Sequence, residues 1–299
     1  MTGYPEAGRG IALSVMASTL FALMSAYAKL LAPLTGLDIF AWRILWTAPG
    51  ALALIALRGR WPALVDLVRR GVRDWRLLIA LPASAALLGL QLWLFLWAPL
   101  HGRMLEVSLG YFLLPLTMVL VGRFYYHERL DPLQWAAVAC AALGVAHEVW
   151  VTRAFAWPTL VVALGYPPYF VLRRRINADS LAAFALEIAL LCPVALAMVS
   201  ASATPVASHP LLWAVLLPGL GVLSTLALAS YLKASRMLPM ALFGILGYVE
   251  PVLLVAVSLL LLGETLSVAQ LATYGPIWAA VALTAWHSAM LMRRLPMRG

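Results

Sequence analysis

The sequence predicts an all-α polytopic membrane protein, ten transmembrane helices arranged as two inverted five-helix repeats, with both termini cytoplasmic. Three observations predict it: apolar runs of membrane-spanning length, arginines gathered on one side of them, and a chain that repeats itself. Of its 299 residues, 64% are hydrophobic and 11% charged, with a mean hydropathy of +0.93. A soluble domain carries about 45–50% apolar and about 25% charged residues. The surplus is spread from end to end in runs of about 20 residues, enough for a helix to cross roughly 30 Å of hydrocarbon. These runs lack the period-two alternation of a barrel, so helices must satisfy the backbone.

The spans are read at about 10–31, 38–57, 75–98, 104–125, 132–150, 156–173, 180–200, 211–234, 239–262 and 267–291. Arg9 ahead of the first run imitates a signal peptide, but the run is too long and nine more follow, so it is read as uncleaved. The loops are short and leave no room for a soluble domain. A net charge of +9 could suggest nucleic acid, yet its distribution points to topology. With the N-terminus in the cytoplasm, Arg58, Arg60, Arg69, Arg70, Arg73 and Arg76 fall on that side, as do Arg173, Arg174 and Arg175. The opposite side carries Arg103 and Arg153, while Lys29 and Arg43 fall within or near spans. This is the positive-inside pattern, and attraction to anionic lipid follows from it. Membrane lipids are the expected partner and nucleic acid is not. Cys140 and Cys192 lie inside apolar runs and read as small packing residues.

Residues 37–54, "LDIFAWRILWTAPGALAL", overlay 181–198, "LAAFALEIALLCPVALAM", without a gap. Residues 115–135 likewise overlay 251–271, pairing Pro115 with Pro251 and Glu128 with Glu264. The halves are therefore 1–152 and 153–299, with five spans each. An odd number of spans forces the second copy to enter from the opposite side. Inverted halves recur in secondary transporters, with substrate bound between them near the midplane. Some channels share the trait, but no charged ring or carbonyl filter is evident here. No G-x-x-x-x-G-K-[ST] run marks a nucleotide-driven pump, and "HEVWV" (147–151) lacks the second His of a zinc protease. The reading contains no catalytic residue, metal ligand or cofactor.

"FAWRILWT" (40–47), "WAPLHGRMLEVSLGYFLLPL" (97–116), "HERL" (127–130) and "LGYVEPVLL…LLGETLS" (246–267) resemble the RarD-type branch of the EamA-like drug/metabolite transporter superfamily. The resemblance covers nearly the whole chain. It implies a ten-helix exporter of a bacterial inner membrane, architecturally related to the YddG-type amino-acid exporters. It also implies a central cavity between spans 1, 3, 4, 6, 8 and 9, with spans 5 and 10 as scaffold. Trp42, Leu100 and Leu114 depart from the family's polar residues, and Glu250 stands where the family is often uncharged. The fold therefore transfers more safely than the substrate.

Glu250 lies ten residues into the ninth span, about 15 Å along its axis, near the bilayer centre. Facing lipid there would cost at least ~2.5–3.5 kcal/mol, so it is expected to face a hydrated interior. Pro251 beside it removes a backbone donor and bends the helix. Three roles compete for Glu250: a site for a substrate ammonium, a carrier of a coupling proton, or a structural partner for Arg43. Arg43 and its overlay partner Glu187 read as structural charges near an interface, able to snorkel. Glu128 and Glu264 read as caps on the next helix.

Polar and aromatic stripes supply the other candidates. Ser14, Ser18, Phe21 and Ser25 share one face of the first span, Ser84, Gln91 and Phe95 one face of the third, and Ser224 and Tyr231 align on the eighth. Ser108 and Tyr111 lie on the fourth. In "GYPPYF" (165–170), Pro167 and Pro168 are expected to break the sixth span between Tyr166 and Tyr169. The expected substrate site is Glu250, Gln91, Tyr111, Ser224, Ser18, Phe21, Ser25, Tyr166, Tyr169 and Phe95, with Pro251, Pro167, Pro168 and Pro115 as hinges. Small polar residues also serve plain helix packing, which is the competing reading for each serine. The expected activity is alternating-access export of small amphipathic solutes, amino acids first, neutral or aromatic ones included. A drug or lipid flippase of the same superfamily is the alternative, ahead of a channel. The sequence assigns no oligomeric state.

Overall fold

The computed structural model describes residues 4–101, 103–153, 156–202, 210–253, 256 and 268–293. Every regular element among them is helical. The helices are α1 (Tyr4–Ala28), α2 (Gly36–Leu57), α3 (Trp61–Arg73), α4 (Trp75–Leu100), α5 (Met104–Phe124), α6 (Pro132–Thr152), α7 (Trp157–Ile176), α8 (Ser180–Ala201), α9 (Leu217–Met237), α10 (Met240–Leu246) and α11 (Val268–Arg293). Seven stretches are long and apolar enough to cross a membrane, six of them within α1, α2, α4, α5, α6 and α8 and the seventh, Ala214–Met237, ending with α9. Their bounds follow the expected spans closely. The exception is α3, a 13-residue helix where the sequence predicted only a loop.

Between helices in lipid there is little hydrophobic drive, so close backbone approach and hydrogen bonding hold the bundle. α1 lies along α9, α2 along α8 and α9, α5 along α7 and α10, and α6 along α11. The crossing of α5 and α10 shows why glycine is needed. A Cβ on Gly244 would stand 2.7 Å from the Met118 Cβ and 2.8 Å from the Pro115 carbonyl oxygen. One on Gly122 would stand 2.6 Å from the backbone nitrogen of Ala241.

Caps fix where the helices begin. Thr35 and Asp38 form a reciprocal capping box at the start of α2, and Asp131 and Gln134 form another at α6. Asp179 accepts the Leu181 and Ala182 amides at α8. Glu128 was expected to cap the helix that follows it, but Asp131 fills that role. Glu128 instead reaches across the bundle and accepts the Met240 and Ala241 amides of α10 at 2.6 and 2.8 Å. The carboxylate serves the free donors of a helix 112 residues away in sequence. Glu264, its sequence counterpart, lies outside the described residues.

A second correction concerns Pro167 and Pro168. The helix does not break between Tyr166 and Tyr169, because α7 runs through both prolines from Trp157 to Ile176. Pro167 cannot donate to the carbonyl four residues earlier, that of Ala163. The Thr117 hydroxyl of α5 takes that acceptor instead, at 2.6 Å. The proline's vacancy thus becomes an interhelical bond, and the helix stays whole.

Candidate functional site

A tight turn in the ninth span prepares the site. α10 ends at Leu246, residues 247–248 form a turn, and helix resumes at 249–253 with Glu250 in its first turn. Gly247 and Tyr248 donate backward to the Gly244 and Ile245 carbonyls at 2.9 and 3.1 Å, tightening the turn. Pro251 withholds the donor that would have reached the Gly247 carbonyl. Gly247 keeps helical dihedrals, φ −58° and ψ −24°, so the ninth span is locally tightened there and not unwound.

Around Glu250 the structure gathers residues from several helices. Arg43 of α2, Tyr111 of α5, Tyr166 of α7 and Glu250 lie within one another's electrostatic reach, and Tyr231 of α9 lies within reach of Tyr166 and Glu250. The rings of Tyr111 and Tyr166 lie side by side, with centroids 6.2 Å apart. Arg43 Nε donates to the Ser224 hydroxyl at 2.9 Å, and its guanidinium carbon stands 6.0 Å from the Phe21 ring centre. Phe21 meets Tyr231 edge-on at 5.9 Å. Arg43, Tyr111, Tyr166, Tyr231 and Glu250 are each only half-buried despite their place among the helices. Together they form a half-buried cluster inside the bundle, opposite charges set among aromatic rings. Arg43 and Glu250 do not close into a salt bridge among the described residues.

Of the expected substrate residues, Glu250, Tyr111, Ser224, Phe21 and Tyr166 meet here. Arg43 joins them; of the two places the sequence allowed it, the interface or the side of Glu250, it takes the second. The remaining candidates are placed elsewhere. Gln91 is fully buried; its Nε2 donates to the Val161 carbonyl at 2.8 Å, with Gly165 leaving room for the amide. Ser18 and Ser14 are buried on the helix that packs along α9. Pro115 is buried against Gly244 and Gly247 at the α5–α10 crossing. The side chains of Ser25 and Phe95 lie outside the described residues.

Tyr169 belongs to a different cluster. Its hydroxyl donates to Glu187 at 3.2 Å, and Glu187 also accepts from Ser84 and pairs with Arg173. Glu187 and Arg173 are 0% and 2% exposed, so neither snorkels. The sequence counts Arg173 with Arg174 and Arg175 as topology charges at the end of the sixth span, yet it is the inward member of the triplet. The missed signal was helical: Tyr166, Tyr169, Phe170 and Arg173 recur at i, i+3, i+4 and i+7, the spacing of one helix face. Arg174 also serves the structure, donating from Nη2 to the Ser235 and Leu238 carbonyls at 2.7 Å where α9 ends.

An apolar crevice opens beside the turn at 247–248. Ile11 and Val15 of α1, Ile245, Leu246 and Val249 around the turn, and Val281, Thr284 and Ala285 of α11 line it, with a volume of about 200 Å³. Its walls are almost wholly apolar. α7 seals against α5 through Thr159, which donates to the Glu106 carbonyl at 2.7 Å, and through Thr117, but α1 makes no such bonds to α10 among the described residues.

The model of the EamA-like transporter family matches residues 8–147. Across 98% of its length and 98% of the other chain, the protein is 50% identical to the "Chloramphenicol-sensitive protein RarD" of Pseudomonas aeruginosa. The chain belongs to the EamA-like transporter family, in its RarD branch. An "Uncharacterized transporter" of Haemophilus influenzae is 39% identical over 255 residues, 85% of each chain. A solved crystal structure with 21% identity superposes with a TM-score of 0.70, covering 94% of this chain and 98% of that one, which shows a shared fold. With this membership, the protein is a multi-pass transporter-family protein of a bacterial inner membrane, not an enzyme.

Proposed function

We propose that the protein exports small amphipathic metabolites, amino acids with neutral or aromatic side chains, by alternating access between two inverted halves, 1–152 and 153–299. The observation that carries this reading is the pair Arg43 and Glu250 in one aromatic cluster, opposite charges not bonded to each other. A zwitterion complements both. Ser224 holds Nε of Arg43, which leaves the two Nη groups to receive a carboxylate in bidentate fashion. Glu250 receives the ammonium, or a coupling proton when the site is empty. Tyr111, Tyr166, Tyr231 and Phe21 supply the apolar and π surface for the side chain. Pro251 and the turn at 247–248 give the ninth span the freedom to carry Glu250 between two arrangements.

A second reading rests on the apolar crevice between α1, α10 and α11. It supports lateral access for a lipophilic drug or a lipid, in keeping with the drug sensitivity in the name of the Pseudomonas relative. Radiolabelled flux in proteoliposomes separates the two. Wild type that moves amino acids, with loss of flux in Glu250→Gln that still folds, supports the exporter. Wild type that moves no amino acid but does move a labelled drug or lipid replaces the first reading with the second.

A further inference from the structure

The helix that the sequence did not predict has three distinct faces. α2 ends at Leu57, Gly59 turns the chain at a φ of 60°, and α3 starts at Trp61 with Pro62 in its first turn. One face carries Leu67 and Gly71, which pack with Leu81 of α4 and with Ile176, Ala178, Ala182 and Ala183 where α7 meets α8. The second carries Trp61, Val65, Val68 and Val72 at i, i+4, i+7 and i+11, a single stripe. All four are exposed, Val72 to 76%. The third is basic: Arg69 and Arg73 flank the stripe, while Arg70 is held by Asp66 at 2.8 Å. Arg58, also exposed, precedes the helix, and Arg60 reaches Asp179, the cap of α8, at 3.7 Å.

A helix with one face on the protein, one apolar and one cationic has a natural seat. It lies flat at the boundary between acyl chains and headgroups, apolar stripe down and arginines outward. Trp61 and Trp75 bracket it as interfacial aromatics, and exposed Leu78 and Ile79 continue the apolar wall along α4. Arg58, Arg69 and Arg73 enter no salt bridge among the described residues, so their charge is available to the leaflet. By the positive-inside rule this is the cytoplasmic leaflet.

We infer that α3 is an in-plane membrane anchor whose flanking arginines bind the headgroups of anionic phospholipids. Its charge selects the occupant: six arginines lie between Arg58 and Arg76, against Asp66 and Asp74. The inference is independent of which solute the protein carries.

The test uses the full chain purified in uncharged detergent, with thermal unfolding followed after addition of phosphatidylglycerol or phosphatidylcholine. In wild type the anionic lipid raises the midpoint above the zwitterionic one, and the difference vanishes at high salt. In Arg58→Gln/Arg69→Gln/Arg73→Gln the difference is lost while the midpoint in phosphatidylcholine is kept. No preference in wild type, or a preference untouched by the substitutions, overturns the headgroup site. The seat is read separately by a nitroxide on Val72→Cys, with Cys140 and Cys192 replaced by Ala, in liposomes. Collision with oxygen and shielding from a water-soluble nickel chelate are expected. A nitroxide open to the chelate overturns the in-plane placement.

Discussion

Arg43 donates its Nε–H to the hydroxyl of Ser224 at 2.9 Å, fastening α2 to α9 inside the cluster. In the sequence overlay Arg43 falls on Glu187, and Glu187 likewise meets a serine hydroxyl, that of Ser84 on α4. The same kind of contact is made twice with the charge reversed. One copy stays in the half-buried cluster; the other is sealed with Arg173. Opposite fates at matched positions predict opposite phenotypes.

Arg43→Lys keeps the charge but loses the planar fork and the Nε donor. The expected result is a rise of about tenfold or more in the KM for amino-acid flux, since a hydrogen bond to a charged group contributes ~1.5–3 kcal/mol. Folding, followed by thermal unfolding in detergent, should change little. An unchanged KM would remove Arg43 from the binding site.

Glu187→Gln should act on stability. Stripping one partner from a buried ion pair leaves the other charge uncompensated, at a cost of ~3–5 kcal/mol. Replacing both, as Glu187→Met with Arg173→Met, should recover most of the loss. The midpoint of thermal unfolding for the two single variants and the double variant reads this directly. Additive losses would contradict the pairing.

Thr117→Val preserves shape and removes the hydroxyl that holds the Ala163 carbonyl. An acceptor left bare in the bundle costs ~1–3 kcal/mol, while Thr117→Ser should be close to neutral. Hydrogen exchange along α7 should rise in the valine variant near residues 163–168 and remain low in the serine variant.

Glu250→Gln removes the negative charge of the cluster. Amino-acid flux should fall sharply, and any change of rate between mildly acidic and mildly basic pH should flatten. Flux in proteoliposomes across that range checks it. A variant that matches wild type throughout would leave Glu250 with only a packing role.

Much of this was legible from residues alone because a bilayer dictates lengths. The bounds of α2, α5 and α8 were readable from apolar runs, and Glu250, Tyr111, Tyr166 and Ser224 stood out as polar groups within such runs. Orientation was harder. Arg43 and Arg173 each sit near a span end, where composition cannot distinguish an arginine reaching for water from one turned inward. The continuity of α7 through Pro167 and Pro168 depended on Thr117, 46 residues away in sequence. α3 was missed for its length and polarity, not for want of a period: its amphipathic pattern is strong, but 13 residues that include Arg69, Arg70 and Arg73 make no apolar run of spanning length.

The reach of Glu128 has a consequence for how the protein is made. Synthesis runs from the N-terminus, so this carboxylate is already in place on its turn before residues 240 and 241 leave the ribosome. The start of α10 then arrives to an acceptor that is waiting for it, rather than exposing bare amides while the bundle closes. A circular permutant beginning at residue 156 would reverse that order. It would deliver α10 before its cap exists, and its insertion should be slower and more exposed to proteolysis although every native contact remains available.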